Sequence, residues 1–245
     1  MLREVWEETG YTLTSWQYRG IITFVLGEDT VEYMSLFTAD GFEGTPIDCN
    51  EGVLEWVEKD RISELNLWEG DRIFFRLLEE QKEFFSLKLV YNKQDILEQA
   101  VLDAKELELF DILNEDGSKT GVVKERGVAH REGALHGTVH IWIVRENDKS
   151  GYDVLLQKRS DNKDSYPGCY DISSAGHISA GDGVMESALR EFEEELGLSA
   201  QPEQLELFGT TLVKFETTFS GKIFRDNEFS NDFVYRQPVD IGKLK

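Results

Sequence analysis

A mixed α/β fold in two consecutive domains is what this sequence predicts, on three observations. Strand-like hairpins and amphipathic helices interleave along the chain instead of segregating. One helical device, Arg-Glu-x-x-Glu-Glu-x-Gly, occurs twice, at Arg3–Gly10 and again at Arg190–Gly197. The chain has 245 residues, 40% of them hydrophobic, with 15 Phe, 8 Tyr and 5 Trp. That supports real cores and suffices for one large domain or two of ordinary size.

The elements follow in order. Behind the first acidic segment, Gly20–Leu26 and Val31–Phe37 are rich in β-branched and aromatic residues around a short turn at 27–30, which predicts a hairpin. Gly52–Val57 predicts another strand. From Asp71, the spacing of Ile73, Phe74, Leu77 and Leu78 predicts a helix behind an aspartate cap. Phe85–Tyr91 and Ile96–Leu102 predict a strand pair turning at 92–94. The charged run 103–108 forms a joint, so the expected domains are 1–104 and 105–245. In the second half, Phe110–Leu113, a turn at Asp116-Gly117, Thr138–Val144 and Tyr152–Gln157 continue the strand pattern.

Charge narrows the partners. A formal net charge of −22 disfavours nucleic-acid polymers and anionic membranes, which need basic partners. It leaves open a small-molecule diphosphate or nucleotide whose phosphates are bridged by a divalent cation. Cys49 and Cys169 make no disulfide framework or metal spacing. That pattern, the charged start and the lack of a long apolar run fit the cytoplasm. Oligomeric state is not encoded in any pattern seen.

The second acidic helix explains itself physically. Met185, Ala188, Leu189, Phe192 and Leu196 follow the spacing of one helix face. Glu191, Glu194 and Glu195 fall on an adjoining face, where like charges repel by a few tenths of a kcal/mol per pair. Solvent alone can accommodate such a face. A hard cation such as Mg²⁺, which takes oxygen ligands and shares its sphere with phosphates, offsets the repulsion. Gly197 ends the helix, a glycine-rich loop at 176–182 leads into it, and Arg190 can hold a carboxylate.

The stretch GHISAGDGVMESALREFEEELGL resembles the Nudix box, G-x5-E-x7-R-E-U-x-E-E-x-G-U, with U a bulky apolar residue. Only Asp182 departs from the pattern, and it keeps the charge. The resemblance implies two Nudix-type α/β/α sandwich domains built on mixed sheets. It also implies Mg²⁺- or Mn²⁺-dependent hydrolysis of a diphosphate linked to a nucleoside or related moiety. Glu191, Glu194 and Glu195 are then metal ligands and Arg190 their orienting partner.

REVWEETGY resembles the second half of another box. Together with CNEGVLEW and LWEGDRIF it makes residues 1–103 look like bacterial 8-oxo-dGTP diphosphatases lacking their leading strands and glycine loop. A sheet edge left unpaired is expected there. By that resemblance Arg3, Glu4, Glu7, Glu8 and Glu51 belong to a metal site. Trp68 would stack on the purine and Asp71 would read its edge. Trp68 equally suits a core aromatic under the helix, and Asp71 a helix cap.

The second half resembles Nudix proteins related to isopentenyl-diphosphate isomerases, carried by FDILNEDG, VAHREGALHGTVHIWIV, LLQKRSDNKDSYPGCYDISSAGH and DNEF, and it stops before the strand and helix that the family adds. The resemblance implies that His130, His136, His177, Asp226 and Glu228 hold a metal. The catalytic cysteine of the isomerases is replaced by Ala175, and the spacing from His130 to His136 differs by one. His136 and His140 also suit a strand-lining role. Three activity classes follow: a Nudix hydrolase acting on a nucleotide such as 8-oxo-dGTP, an isoprenoid diphosphate isomerase, and a non-catalytic binding module.

Overall fold

The structure is a computed structural model and describes residues 1–49, 52–80, 83–149, 151–162, 166–219 and 222–244. Two units emerge, Met1–Leu107 and Glu108–Lys245.

In the first unit, helix α1 (Leu2–Thr9) buries no residue and ends at Gly10, whose φ of 75° is the left-handed conformation that glycine adopts without strain. The chain then runs into a long hairpin, β1 (Tyr11–Leu26) and β2 (Thr30–Gly44). Helix α2 (Glu69–Glu80) buries Ile73 and Leu77. Strands β3 (Phe85–Tyr91), β4 (Leu97–Leu102) and β5 (Lys105–Glu106) complete the sheet. Its order is β2-β1-β3-β4-β5, with β1 and β3 parallel and the other pairs antiparallel. β3 buries alternate residues, Phe85, Leu87, Leu89 and Tyr91, as a strand with one face on a core must.

The second unit opens with β6 (Leu109–Leu113) and β7 (Lys119–Glu125), then helix α3 (Arg126–Glu132). The central strand β8 (His136–Asn147) follows, with β9 (Gly151–Val154), β10 (Gln157–Lys158), β11 (Tyr170–Asp171) and β12 (Ser174–His177). Helix α4 (Val184–Leu196) leads to a second long hairpin, β13 (Leu205–Phe219) and β14 (Lys222–Tyr235). The sheet runs β13-β14-β8-β6-β7, with β12 and β9 also pairing β8, and β14 lies parallel to β8.

Period-two alternation divides the labour of β8 and β14 between two faces. Val139, Ile141 and Ile143, with Phe233 and Tyr235, pack on Ala188, Phe192 and Leu196 of α4. Burying a side chain such as Phe192 contributes about 1.5–3 kcal/mol relative to leaving it exposed. The alternate residues, His136, Thr138 and His140 on β8 and Glu228, Ser230 and Asp232 on β14, face the other side. The apolar face thus anchors the helix, and the opposite face carries the ionisable and hydroxyl side chains.

Several expectations need correction. Gly52–Val57 is not a strand: Gly52 makes one isolated bridge to Cys49 and Val53 is 97% exposed. Trp56 stacks on Phe42 of β2 at 5.6 Å, but among the described residues the segment joins no backbone ladder, and propensity without pairing does not make a strand. Asp71 does not precede its helix as a cap; it lies inside the first turn of α2, its N–H donating to Trp68 O at 3.0 Å. The first hairpin is longer at both ends than its apolar core suggested. Among the described residues, no helix is long and apolar enough to cross a membrane.

Candidate metal centre

Strand β12 joins two groups of ligand-type side chains. Its backbone meets the glutamates of α4. Ala175 N–H donates to Glu195 Oε2 at 3.2 Å, and Arg190 Nη2 donates to His177 O at 3.1 Å. Arg190 also pairs with Asp182 and reaches Glu191 Oε1 at 3.3 Å. The aspartate in the box loop therefore does what a charged group there can do, fixing the guanidinium beside Glu191. Gly176 is required by this arrangement: a Cβ on it would lie 2.1 Å from Glu191 Cδ. Burial pushes the Glu191 carboxyl above its usual range, opposed by Arg190 and reinforced by Glu195 and Glu194. Glu194 is exposed on the same helix.

The side chain of His177 belongs to the second group. His130 from α3, His136 from the start of β8 and His177 from β12 bring ligand nitrogens within 4.8 Å of one another, and a nitrogen of His136 lies equally close to carboxylate oxygens of Asp226 and Glu228. The rings are fixed by their neighbours. Phe110 stacks on His136 and His177 at centroid distances of 4.7 and 4.8 Å, and Phe224 stacks on His130 at 4.5 Å. His136 Nδ1 is 2.9 Å from Ala134 O and His130 Nδ1 is 3.4 Å from Arg225 O. A carbonyl only accepts, so Nδ1 of each carries the hydrogen and Nε2 keeps its lone pair.

Four buried atoms in this group, Nε2 of His130, His136 and His177 and Oδ1 of Asp226, make no hydrogen bond among the described residues. Leaving a buried polar group unpaired costs about 1–3 kcal/mol. Four converging in one place fit a cation. Burial lowers His130 to about 4 and His177 to about 2, and lowers His136 and His140 as well, so these imidazoles are neutral at neutral pH. Neutral imidazole is the form that ligates. Burial, then the neighbouring Asp226, raises Glu228 to about 8; burial raises Asp226 too. Crowded acids without a counter-charge behave this way. The mixed nitrogen and oxygen donors suit Mn²⁺ or Zn²⁺, whereas the all-oxygen set on α4 suits Mg²⁺.

The first unit presents less. Arg3, Glu4, Glu7 and Glu8 of α1 are exposed; Arg3 lies 3.9 Å from Glu7, and the chain amine pairs with Glu4 at 3.0 Å, holding its carboxyl below the usual range. Glu51 lies outside the described residues. Trp68 is 41% exposed and held edge-on by Phe24 and Tyr91 at 5.6 and 5.0 Å. Its ring thus packs edge-on against strand residues of β1 and β3 while part of its surface stays exposed. Burial raises the Asp71 carboxyl above its usual range.

Asp232 and His140 also border this group, and the sequence alone marks Asp232 not at all and His140 only as a strand-lining residue. The alternation H-x-T-x-H in β8 and D-x-E-x-S-x-D in β14 was the available signal.

The comparisons agree on one family. The NUDIX domain model matches residues 134–244. Nudix hydrolase 3 of Arabidopsis thaliana is 49% identical over 127 residues, covering 52% of this chain but 16% of that protein. An uncharacterized Nudix hydrolase of Clostridium acetobutylicum is 36% identical, covering 56% of this chain and 63% of its own length. The chain thus spans less than two thirds of both these relatives. The oxidized purine nucleoside triphosphate hydrolase of Danio rerio is 30% identical over 105 residues, covering 42% of this chain and 67% of that protein. Among solved structures, a MutT protein from Bacillus halodurans is 29% identical with a TM-score of 0.40, covering 42% of this chain and 71% of that one.

Proposed function

The chain belongs to the Nudix hydrolase family, and we propose that its second unit hydrolyses a diphosphate linkage in a nucleotide or related small molecule with the help of a divalent cation. The observation that carries this reading is the junction at β12, where the glutamates of α4 and the histidine–acid group adjoin one strand. His130, His136, His177, Asp226 and Glu228 would hold one cation; Glu191, Glu194 and Glu195 would hold Mg²⁺ or Mn²⁺. When bound, such a cation polarises a phosphoryl oxygen and lowers the pKa of water. The chain's own residues do the rest. Arg190 orients Glu191, Gly176 leaves it room, and Phe110 fixes two of the imidazoles. A carboxylate outside the ligand set accepts the proton of the attacking water. Water adds at phosphorus, the bridging P–O bond breaks, and a monophosphate leaves with phosphate or pyrophosphate.

The first unit is proposed to bind an oxidised purine nucleotide such as 8-oxo-dGTP weakly. Arg3, Glu4, Glu7, Glu8 and Glu51 would lie on the phosphate side, with Trp68 and Asp71 at the base. The exposed face of Trp68 supports this reading.

A second reading, an isoprenoid diphosphate isomerase, is favoured by the histidine–acid group and opposed by Ala175, which offers no acid beside it. Phosphorus-31 product analysis separates the readings. A hydrolase releases phosphate or pyrophosphate from a panel of nucleoside diphosphate derivatives. An isomerase converts isopentenyl to dimethylallyl diphosphate without release, and a binding module does neither. Conversion without release would overturn the proposal.

A further inference from the structure

We propose that a second cation position lies between His140 Nε2 and Glu228 Oε2, so that the Glu228 carboxylate bridges two metal positions. The inference rests on the preceding reading that the His130–His136–His177 trio and its two acids hold one.

The strand register builds the site. β14 runs parallel to β8, pairing Glu228 with His136, Ser230 with Thr138 and Asp232 with His140. All six side chains lie on one face, away from α4. The two oxygens of Glu228 then face different histidines: Oε1 is 3.9 Å from His177 Nε2, and Oε2 is 3.8 Å from His140 Nε2.

His140 is prepared for ligation. Its Nδ1 is 3.2 Å from Asp232 Oδ1. Asp232 is itself held by two hydroxyls, Ser230 at 2.9 Å and Thr211 at 2.7 Å. A carboxylate fixed in this way accepts a hydrogen bond from Nδ1–H, which leaves the Nε2 lone pair turned toward Glu228. A histidine whose far nitrogen donates to a carboxylate is the arrangement that metal-binding histidines show. A purely structural His–Asp pair would need only the Nδ1 contact.

The gap itself points to an ion. A separation of 3.8 Å is too long for a hydrogen bond. Two metal–ligand bonds of about 2.0–2.2 Å span it at an open angle. Ala175, opposite His140 on β12, contributes only a methyl group and does not compete for the space. His140 is only partly buried, so the position is reachable from solvent. With two protein ligands, the remaining positions are open to water or phosphate oxygens, whereas structural sites are closed by four protein ligands. Paired cations sharing a carboxylate clamp both sides of a breaking phosphoryl linkage.

Zn²⁺ is the probe, because it accepts both imidazole and carboxylate. It is titrated into the metal-stripped full chain by calorimetry, with metal content measured after dialysis. With Mg²⁺ in excess to occupy the glutamates of α4, the expected result is two tightly held Zn²⁺ equivalents for the unaltered chain and one for His140→Ala. Asp232→Ala keeps both, with one weakened about 10–100-fold through loss of the orienting partner. Thermal melts establish that each variant is folded, and His140→Gln replaces His140→Ala if the latter does not fold. Equal number and affinity in the unaltered chain and the His140 variant would overturn the second position. If the unaltered chain holds a single equivalent that His140→Ala leaves untouched, this inference alone fails. Uptake of none would remove the first metal position as well.

Discussion

Gly176→Ala separates the fold of the second unit from the function proposed for its metal centre. The added methyl would meet Glu191 at 2.1 Å from Cδ, 2.3 Å from Oε2 and 2.4 Å from Cγ. All three atoms belong to the outer part of one long side chain, and Gly176 is not in the left-handed region, so alanine strains no backbone. Ordinary contact begins at 3.4 Å, and Glu191 must therefore retreat by roughly 1.3 Å. Overpacking that displaces one movable side chain costs at most about 1–3 kcal/mol. A misplacement of about 1 Å in a reacting assembly costs on the order of 100-fold in rate. The expected outcome is a folded protein with a melting temperature close to that of the unaltered chain and a rate of phosphate release about 100-fold lower. Two measurements check it: a thermal melt and a continuous phosphate-release assay on the most active member of the substrate panel. Full activity in the variant would refute the claim that the position of Glu191 matters to the chemistry. A collapse of stability would refute the claim that Gly176 serves the site more than the fold.

Three further outcomes follow from the same geometry. Glu194→Gln removes one carboxylate charge from α4 and is expected to weaken Mn²⁺ binding and abolish turnover; an unchanged Mn²⁺ titration followed by electron paramagnetic resonance would contradict it. Trp68→Ala is expected to weaken 8-oxo-dGTP binding by roughly 10- to 100-fold, since stacking of a base on an aromatic contributes about 1–3 kcal/mol; equal affinities by fluorescence-independent calorimetry would remove Trp68 from the base site. The metal-free protein should be most stable near pH 6.5. Below that, the unfolded chain binds more protons than the native one, because burial lowers His130 from 6.5 to about 4 and His177 from 6.5 to about 2. Those two protons outweigh the one that native Glu228 retains, and stability falls as pH falls. Above it, the native state retains a proton on Glu228, raised from 4.5 to about 8, so stability falls as pH rises toward 8. Denaturant midpoints that change monotonically across this range would contradict the signs.

What the sequence made legible follows from which interactions are local. The helix carrying Glu191, Glu194 and Glu195 shows its apolar face at 3–4 spacing and its stop at Gly197, and both features lie within a few turns of one another. The strand pair at Phe85–Tyr91 was visible because each strand alternates and a tight turn joins them. Gly52–Val57 has strand-type residues but, among the described residues, no ladder beyond the single bridge from Gly52 to Cys49, and strand pairing is a tertiary fact. The ladder of His136, Thr138 and His140 against Glu228, Ser230 and Asp232 was hidden for the same reason. Its parallel register joins residues that lie 92 positions apart, as Glu228 and His136 do, and nothing local in either strand announces the other. Likewise, Asp71 sits just before the apolar run that begins at Ile73, where a cap would sit, and only the helix's true start at Glu69 moves it inside.

The most direct test of the whole account is metal add-back. The full chain is stripped with a chelator and assayed for phosphate or pyrophosphate release on the diphosphate panel, then assayed again after addition of Mg²⁺, Mn²⁺ or both. The account predicts no release from the stripped protein and recovery on addition of a divalent cation, with Glu191→Gln failing to recover although folded. Release by the stripped chain, or none by the folded chain with cation bound, would contradict it.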